Sequence, residues 1–472
     1  MDQGKSDIAV VGMAVMGQNL ALNMESKGFI VSVYNRHSEK TQRFVEERAR
    51  NKNILGTYNI KELVDSLKTP RKIMLMVKAG NPVDGVIKEL LPYLEEGDII
   101  IDGGNSYYKD TDRRSEYLSQ KHIRFLGTGV SGGEYGALHG PSIMPGGDKS
   151  AYEEVKEILE ATAAKTQDGP CVTYLGPKSS GHYVKMVHNG IEYAIMELIS
   201  ETYDIMRKVF KLSPKEMSNL FKEWNEEHQS YLMEITYKIL DWVDEETGKP
   251  IVDVILDSAK QKGTGKWSVQ DALDLNISIP TINAAVNART LSSIKEERIK
   301  IEKIYKTTIE SNLKEDFIYS LKNALFIATV IAYTEGMKLL QVASNEYGYN
   351  LDLSEVARIW EDGCIIRSAL LKPIQKSFKN DPHLINLIIS NEFKNEFQNR
   401  IPELRKVVSE IKKANIPIPA FSSALDYFDG LSSKELPANL IQAQRDYFGA
   451  HTYERRDKEG VFHTEWQDIH NI

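Results

Sequence analysis

The hydrophobic pattern gives the chain two textures and a tail. Within residues 1–178, short apolar runs ("DIAVVG", "IVSVYN", "KIMLMV", "DIIIDGG", "IRFLG") alternate with amphipathic stretches such as 16–27, 82–94 and 107–121. That alternation predicts a parallel sheet with crossover helices. From 179 to 433, apolar residues recur every three to four positions and strand signals vanish, which predicts a large all-helical domain. From 434 to 472, beginning "LPANLIQAQRDYFGAHTYERRD", aromatic and polar groups crowd together with little periodic apolar face. This last stretch reads as an extended arm that reaches another subunit, rather than a third domain.

The helical part contains a weak internal repeat. "LSPKEMSNLFKEW" (212–224) matches "LDLSEVARIWEDG" (351–363) with Glu216 on Glu355, an offset of 139. Carried back without a gap, that offset sets the helix "VKMVHNGIEYAIMELISETYDIM" (184–206) opposite "NALFIATVIAYTEGM". Lys185, His188, Asn189 and Glu192 then face Ala324, Ile327, Ala328 and Ile331. The first copy has polar groups where packing alone would accept small and aliphatic ones. All four fall on one helical stripe, at +3, +4 and +7 from Lys185.

Composition narrows the setting. With 472 residues, 41% hydrophobic and 27% charged, the chain reads as a soluble multidomain protein. A net charge of −8 offers no general affinity for nucleic acid. Two distant cysteines, Cys171 and Cys364, make no disulfide framework, and a reducing compartment fits. The apolar run "ALFIATVIAY" is too short to span a bilayer, and "MDQGKSDIAVVGM" lacks the features of a secretory signal. Cytoplasm is the expected location, with no membrane and no nucleic acid as partner. No metal-ligand cluster is apparent.

The first chemistry is a dinucleotide fingerprint. Gly12-x-Ala14-x-x-Gly17 stands between an apolar strand and a helix, where free N–H groups and the helix dipole favour a pyrophosphate. The N-terminal part is therefore expected to be an α/β Rossmann-type domain. At the end of the second strand, where an NAD site presents a carboxylate to the ribose, this chain has Asn35-Arg36-His37. Arg36 can pair with a 2′-phosphate, so NADP is expected over NAD.

The polar helix stripe has two readings. One is a polar seam where two domains meet. The other is a general base and a general acid flanking one substrate, since burial lowers a lysine pKa and raises a glutamate pKa. Glycine-rich "GVSGGEYGALHGPSIMPGG" could turn N–H groups at Ser131, Gly132 and Gly133 toward a carboxylate. "DSAKQKGTGKW" and "NARTLSS" supply Lys262, Thr264 and Arg289, a candidate phosphate clamp.

These motifs, with "GMAVMGQNLALNM", "DGGNS", "GHYVKMVHNGIEY", "ARTLSS", "DGCIIRS" and "LPANLIQAQRDYFGAHTYE", run in order from residue 7 to about 466. Together they resemble the decarboxylating 6-phosphogluconate dehydrogenases of the β-hydroxyacid dehydrogenase superfamily. The resemblance implies oxidation of 6-phosphogluconate by NADP⁺ with loss of CO₂, in a homodimer of the pentose phosphate pathway. It implies Lys185 as base and then acid at the 3-hydroxyl, and Glu192 as the acid that protonates C1. Asn105, His188 and Asn189 would hold hydroxyls, and Ser131, Gly132 and Gly133 the carboxylate. Tyr193, Lys262, Thr264 and Arg289 would hold the phosphate with Arg445 from the partner, and His451 would close the site in trans. The cofactor would lie against Gly12, Ala14, Val15, Met16, Gly17, Asn35, Arg36, His37, Val77, Lys78, Ala79 and Asn105. His37 stands where the family commonly has Thr, and 302–316 follows no family pattern. Two other readings remain: a non-decarboxylating β-hydroxyacid dehydrogenase, and an NADP-binding sensor that has lost its chemistry.

Overall fold

The computed structural model describes residues 5–306, 308–309 and 311–466. The two ends of the chain, and Thr307 and Glu310 in the 302–316 stretch, lie outside the described residues. The N-terminal part runs β1 (Ile8–Val11), α1 (Val15–Ser26), β2 (Val31–Tyr34), β3 (Ile54–Thr57), β4 (Lys72–Leu75), β5 (Ile99–Asp102), α2 (Tyr108–Ser119), β6 (Arg124–Ser131) and β7 (Ser142–Gly147). Further helices lie among them. The sheet order is β3-β2-β1-β4-β5-β6-β7. The first six strands pair in parallel, and β7 closes the edge antiparallel to β6. Ile8 and Val10 are buried in one cluster and Ala9 and Val11 in another, so the sheet is covered on both faces. That is why its strands read as unbroken apolar runs rather than alternating ones.

Two strands of this sheet were not foreseen. β3, "ILGT", has the small Gly56 at its middle and an exposed Leu55, so it lacks an apolar run. β7, "SIMPGG", reads as a loop because Pro145 cannot donate to a ladder. It is tolerated on an edge strand, where Pro145 stands opposite Thr128.

Beyond these strands come α3 (Ser180–Lys208), α4 (Pro214–His228), α5 (Thr264–Asp274), α6 (Pro280–Ser293), α7 (Phe317–Tyr347), α8 (Leu353–Ile359), α9 (Lys394–Lys413) and α10 (Pro419–Ser432), with shorter helices between them. Helix α7 is the one helix among the described residues long and apolar enough to cross a membrane, and most of it is buried inside the protein. It packs between α3 and α9 as a core helix.

The repeat is real, but its register differs from the ungapped one. Glu201 on α3 accepts hydrogen bonds from Ala420 N (2.6 Å) and Phe421 N (3.0 Å), just after Pro419. Glu335 on α7 accepts from Thr281 N (3.0 Å) and Ile282 N (3.1 Å), just after Pro280. The two carboxyls do the same thing, so Glu201 and Glu335 are equivalent, 134 apart, while α6 and α10 remain 139 apart. The difference is taken up by extra length at the C-terminal end of α7. In the corrected register Lys185, His188, Asn189 and Glu192 face Tyr319, Lys322, Asn323 and Phe326. Burial pushes both carboxyls up, to about 8, against the pull of the paired N–H groups.

The chain falls into two compact units, one ending at Leu425 and the other starting at Asp426. The second is more than an extended arm. It holds α11 (Ala438–Gly449) and a small hairpin, Tyr453–Glu454 against Val461–Phe462. Asp446 organises it, accepting from Thr452 N, His463 Nδ1, Thr464 N and Trp466 Nε1 at 2.8–3.0 Å. Although burial works against the charge, those donors hold the Asp446 carboxyl down at about 2.

Candidate active site

The nucleotide end forms where a parallel sheet exposes the carboxyl ends of its strands. Gly12 turns the chain out of β1 at φ +106°, and a Cβ on Gly17 would stand 1.9 Å from the Gly12 carbonyl oxygen, so neither position admits a side chain. Ala14 is the N-cap of α1, and Val15, Met16 and Gly17 form its first turn, with no side-chain cap and no acidic residue. That leaves the positive helix end for a ligand anion. Asn35 shapes this turn: its Oδ1 accepts from Met13 N at 3.0 Å and its Nδ2 donates to His37 O. Gly12, Tyr34, Asn35, Arg36 and Val77 line one cleft. Arg36 and the His37 that follows it are both exposed.

Two further residues support this end without having been singled out in the sequence. Asp102 is fully buried and accepts from Ser106 Oγ (2.6 Å) and Gly104 N (3.1 Å), folding the "DGGNS" turn that leaves Asn105 exposed. Arg114 on α2 donates to Ser106 Oγ, to Asp84 and to the carbonyl of Gly80. It thereby ties the Asn105 turn to the loop of Val77, Lys78 and Ala79. An arginine inside a polar helix gives no sequence signal for such a role.

The substrate end centres on α3. A Cβ on Gly129 of β6 would lie 2.4 Å from the Lys185 Cβ, so the strand must be bare there for the helix to dock. Docked, Lys185 is 6% exposed and His188 fully buried. Lys185 Nζ donates to Asn189 Oδ1 at 2.7 Å, while His188 Nδ1 is 3.4 Å away. His188 Nδ1 lies 3.0 Å from Asn189 Oδ1, and its Nε2 lies 3.1 Å from Ser131 Oγ. The network thus assigns the imidazole proton to Nδ1 and leaves Nε2 to accept from Ser131. Asn189 Nδ2 donates to Thr264 Oγ1 at 3.2 Å, bringing in α5. Glu192 Oε2 is 3.8 Å from His188 Nδ1, beyond hydrogen-bond reach, and the side chain stays partly exposed. The site is one connected polar set with its carboxyl unengaged.

Burial sets the electrostatics. It pushes the Lys185 ammonium below its usual range, and the Glu192 charge only partly restores it. It pushes the Glu192 carboxyl up, against the pull of Lys185 and Arg289. His188, buried beside Lys185, is held well below its ordinary value and stays neutral. An amine able to shed its proton and a carboxyl able to keep one face the same space, which favours the acid–base reading over a passive polar seam.

The candidate phosphate clamp is partly assembled. Arg289 on α6 lies flat on Tyr193, its guanidinium carbon 3.4 Å from the ring centroid. Thr264 is buried at the start of α5, and Lys262 is exposed just before it. Ser131 is buried at the end of β6, with Gly132 left-handed at φ +117° and Gly133 beyond. Arg445 and His451 belong to the second unit, where both are exposed. Arg445 donates to Gln442 there.

One junction escaped the sequence entirely. Asp271 on α5 accepts from three tyrosines: Tyr108 on α2, Tyr183 on α3 and Tyr347 on α7. It joins the nucleotide part to the two helices carrying Lys185 and Thr264. Each residue alone is an unremarkable helix position, and only the fold unites them.

Comparison with known proteins gives a consistent picture. Residues 7–176 match the family model for the NAD binding domain of 6-phosphogluconate dehydrogenase, and 181–466 match its C-terminal domain. The NADP(+)-dependent, decarboxylating 6-phosphogluconate dehydrogenase of Bacillus subtilis is 55% identical over 468 residues, covering 98% of this chain and 99% of that protein. The decarboxylating enzyme of Synechococcus elongatus is 51% identical over 463 residues, covering 97% and 98%. Among solved structures, Plasmodium falciparum 6-phosphogluconate dehydrogenase, determined in its apo form, with its cofactor NADP⁺ and with its substrate 6-phosphogluconate, superposes with a TM-score of 0.94. It is 48% identical, covering 98% of this chain and all of that one.

Proposed function

The chain belongs to the 6-phosphogluconate dehydrogenase family, and from that premise we propose that Lys185 and Glu192 carry the proton transfers of the family's reaction. That reaction is the oxidative decarboxylation of 6-phosphogluconate to ribulose 5-phosphate and CO₂, with NADP⁺ reduced to NADPH. The observation that carries the assignment is the buried Lys185–Asn189–His188–Ser131 network with Glu192 beside it.

NADP⁺ supplies the hydride acceptor when bound, and the bare end of α1 and the Arg36 cleft suit its phosphates. Lys185, its pKa lowered by burial, takes the proton from the substrate's 3-hydroxyl as C3 is oxidised. The resulting β-keto acid loses CO₂, and protonated Lys185 offsets the charge on the enolate oxygen. Glu192, its pKa raised, gives its proton to C1, and the Lys185 proton restores the acid through the product. The proton balance closes with no net gain or loss on the enzyme. His188 and Asn189 hold Lys185 and the substrate hydroxyls, with Asn105 from the nucleotide side. Ser131, Gly132 and Gly133 receive the carboxylate. Tyr193, Lys262, Thr264 and Arg289 receive the phosphate.

The division of labour we infer is 1–178 for the cofactor, 179–433 for the substrate and 434–472 for reaching a second copy. In a homodimer Arg445 and His451 would complete the partner's site. A soluble enzyme of this kind belongs in the cytoplasm.

The test is a paired assay on purified protein with 6-phosphogluconate, following NADPH and CO₂ together, with NADP⁺ or NAD⁺. Equal yields with NADP⁺ preferred are expected, and Arg36→Ala should erode that preference. Reduction without CO₂ would point to a simple hydroxyacid dehydrogenase. Tight NADP binding without reduction would point to a sensor.

A further inference from the structure

Two buried carboxyls take no part in the mechanism above, and both end on a helix N-terminus. The one on α7 matters most for the site. Glu335 is fully buried, and its two oxygens take the N–H groups of Thr281 and Ile282 in the first turn of α6. Those groups have no partner within their own helix. Eight residues beyond Thr281, about 12 Å along the axis, α6 carries Arg289. Arg289 reaches the site only because α6 lies against α3, where Ala285 and Val286 pack on Tyr193. A rigid helix pinned at one end and packed at its middle has a defined far end. A shift at the pin moves Arg289 relative to Tyr193.

We propose that Glu335 is a positioning residue for substrate phosphate: by pinning the start of α6 it sets where Arg289 stands. Glu201 shows the same device a second time, pinning the start of α10 through the N–H groups of Ala420 and Phe421. Both α6 and α10 are thus held at their starts by an internal carboxyl from the opposite copy of the repeat. Loss of one acceptor cannot be absorbed locally. In Glu335→Gln the amide nitrogen would confront a backbone N–H, donor against donor.

The proposal rests on the assignment of Arg289 to the phosphate. The experiment therefore measures KM for 6-phosphogluconate, KM for NADP⁺, kcat and Tm in Glu335→Gln, Arg289→Ala and the double variant. Glu335→Gln is expected to raise KM for 6-phosphogluconate about tenfold, with kcat and KM for NADP⁺ little changed. In the Arg289→Ala background it should add almost nothing. Glu335→Asp, which keeps a carboxyl with two acceptor oxygens, is expected to restore part of the lost affinity and stands in where the glutamine variant does not fold. A lower Tm with an unchanged KM, or the same rise in KM with and without Arg289, overturns the proposal. An unchanged KM in Arg289→Ala itself removes the phosphate assignment, and this inference with it.

Discussion

The two long helices α3 and α7 are copies of one element put to different uses. Where α3 carries a polar network, α7 carries a packing solution. Where α3 has Lys185 buried against β6, α7 has Tyr319, 66% exposed. Where α3 has neutral His188, α7 has Lys322, paired with Glu227 at 3.2 Å. Asn189 bridges Lys185 and Thr264, whereas Asn323 donates back to its own helix at Tyr319 O, 2.8 Å away. Glu192 has its counterpart in Phe326, which lies under the guanidinium of Arg400 at 3.9 Å. The helices share their buried glutamate. They differ in what they face: α3 docks on the strand edge of the nucleotide half, while α7 is enclosed by other helices. The polar network of α3 is set apart by its neighbour, acting on a scaffold that would otherwise only pack.

That comparison can be broken most severely at Lys185. Lys185→Met should lower turnover by about 10³-fold or more while NADP⁺ still binds, read by steady-state kinetics and cofactor titration. Normal turnover would leave the first copy no more catalytic than the second. Glu192→Gln should cost about 10²-fold. Its pH profile sharpens the point. In the proposed mechanism Lys185 acts as the free amine, so kcat should fall as pH drops through its lowered pKa. In that mechanism Glu192 acts in its protonated form, so kcat should fall as pH rises through its raised pKa, and only that alkaline limb should vanish in Glu192→Gln. Next come the equivalent asparagines. Asn189→Ala should reduce turnover roughly tenfold, because it frees Lys185. Asn323→Ala should leave turnover intact and cost about 1 kcal/mol of stability in a denaturant melt. The smallest effect belongs to Lys322→Met, a half-exposed ion pair worth at most ~1 kcal/mol, with unchanged kinetics.

Much of this was legible in the chain, and the gaps have physical causes. The strand–turn–helix with Gly12 and Gly17 announced itself because close backbone approach leaves no alternative residue. The stripe of Lys185, His188, Asn189 and Glu192 stood out because charge on an apolar helix is costly unless it is used. The register of the repeat was misread, since α7 is longer than α3 and nothing in an apolar helix marks where length was added. Glu201 and Glu335 look like ordinary surface glutamates until their partners, more than fifty residues away, are seen. Asp271 and its tyrosines hide for the same reason. Asp446 sits in a polar stretch with no periodicity, so the small unit folded around it read as an arm. Local chemistry is written locally, whereas junctions are written in pairs of distant positions.

The caps at Glu201 and Glu335 cross over. The first copy's long helix holds the second copy's α10, and the second copy's long helix holds the first copy's α6. Divided between the copies, each fragment would carry one carboxyl with nothing to hold and one helix with nothing holding it. Two such fragments could satisfy each other about a two-fold axis. Each half of the helical part therefore borrows the cap of one helix from the other, so neither half is complete by itself.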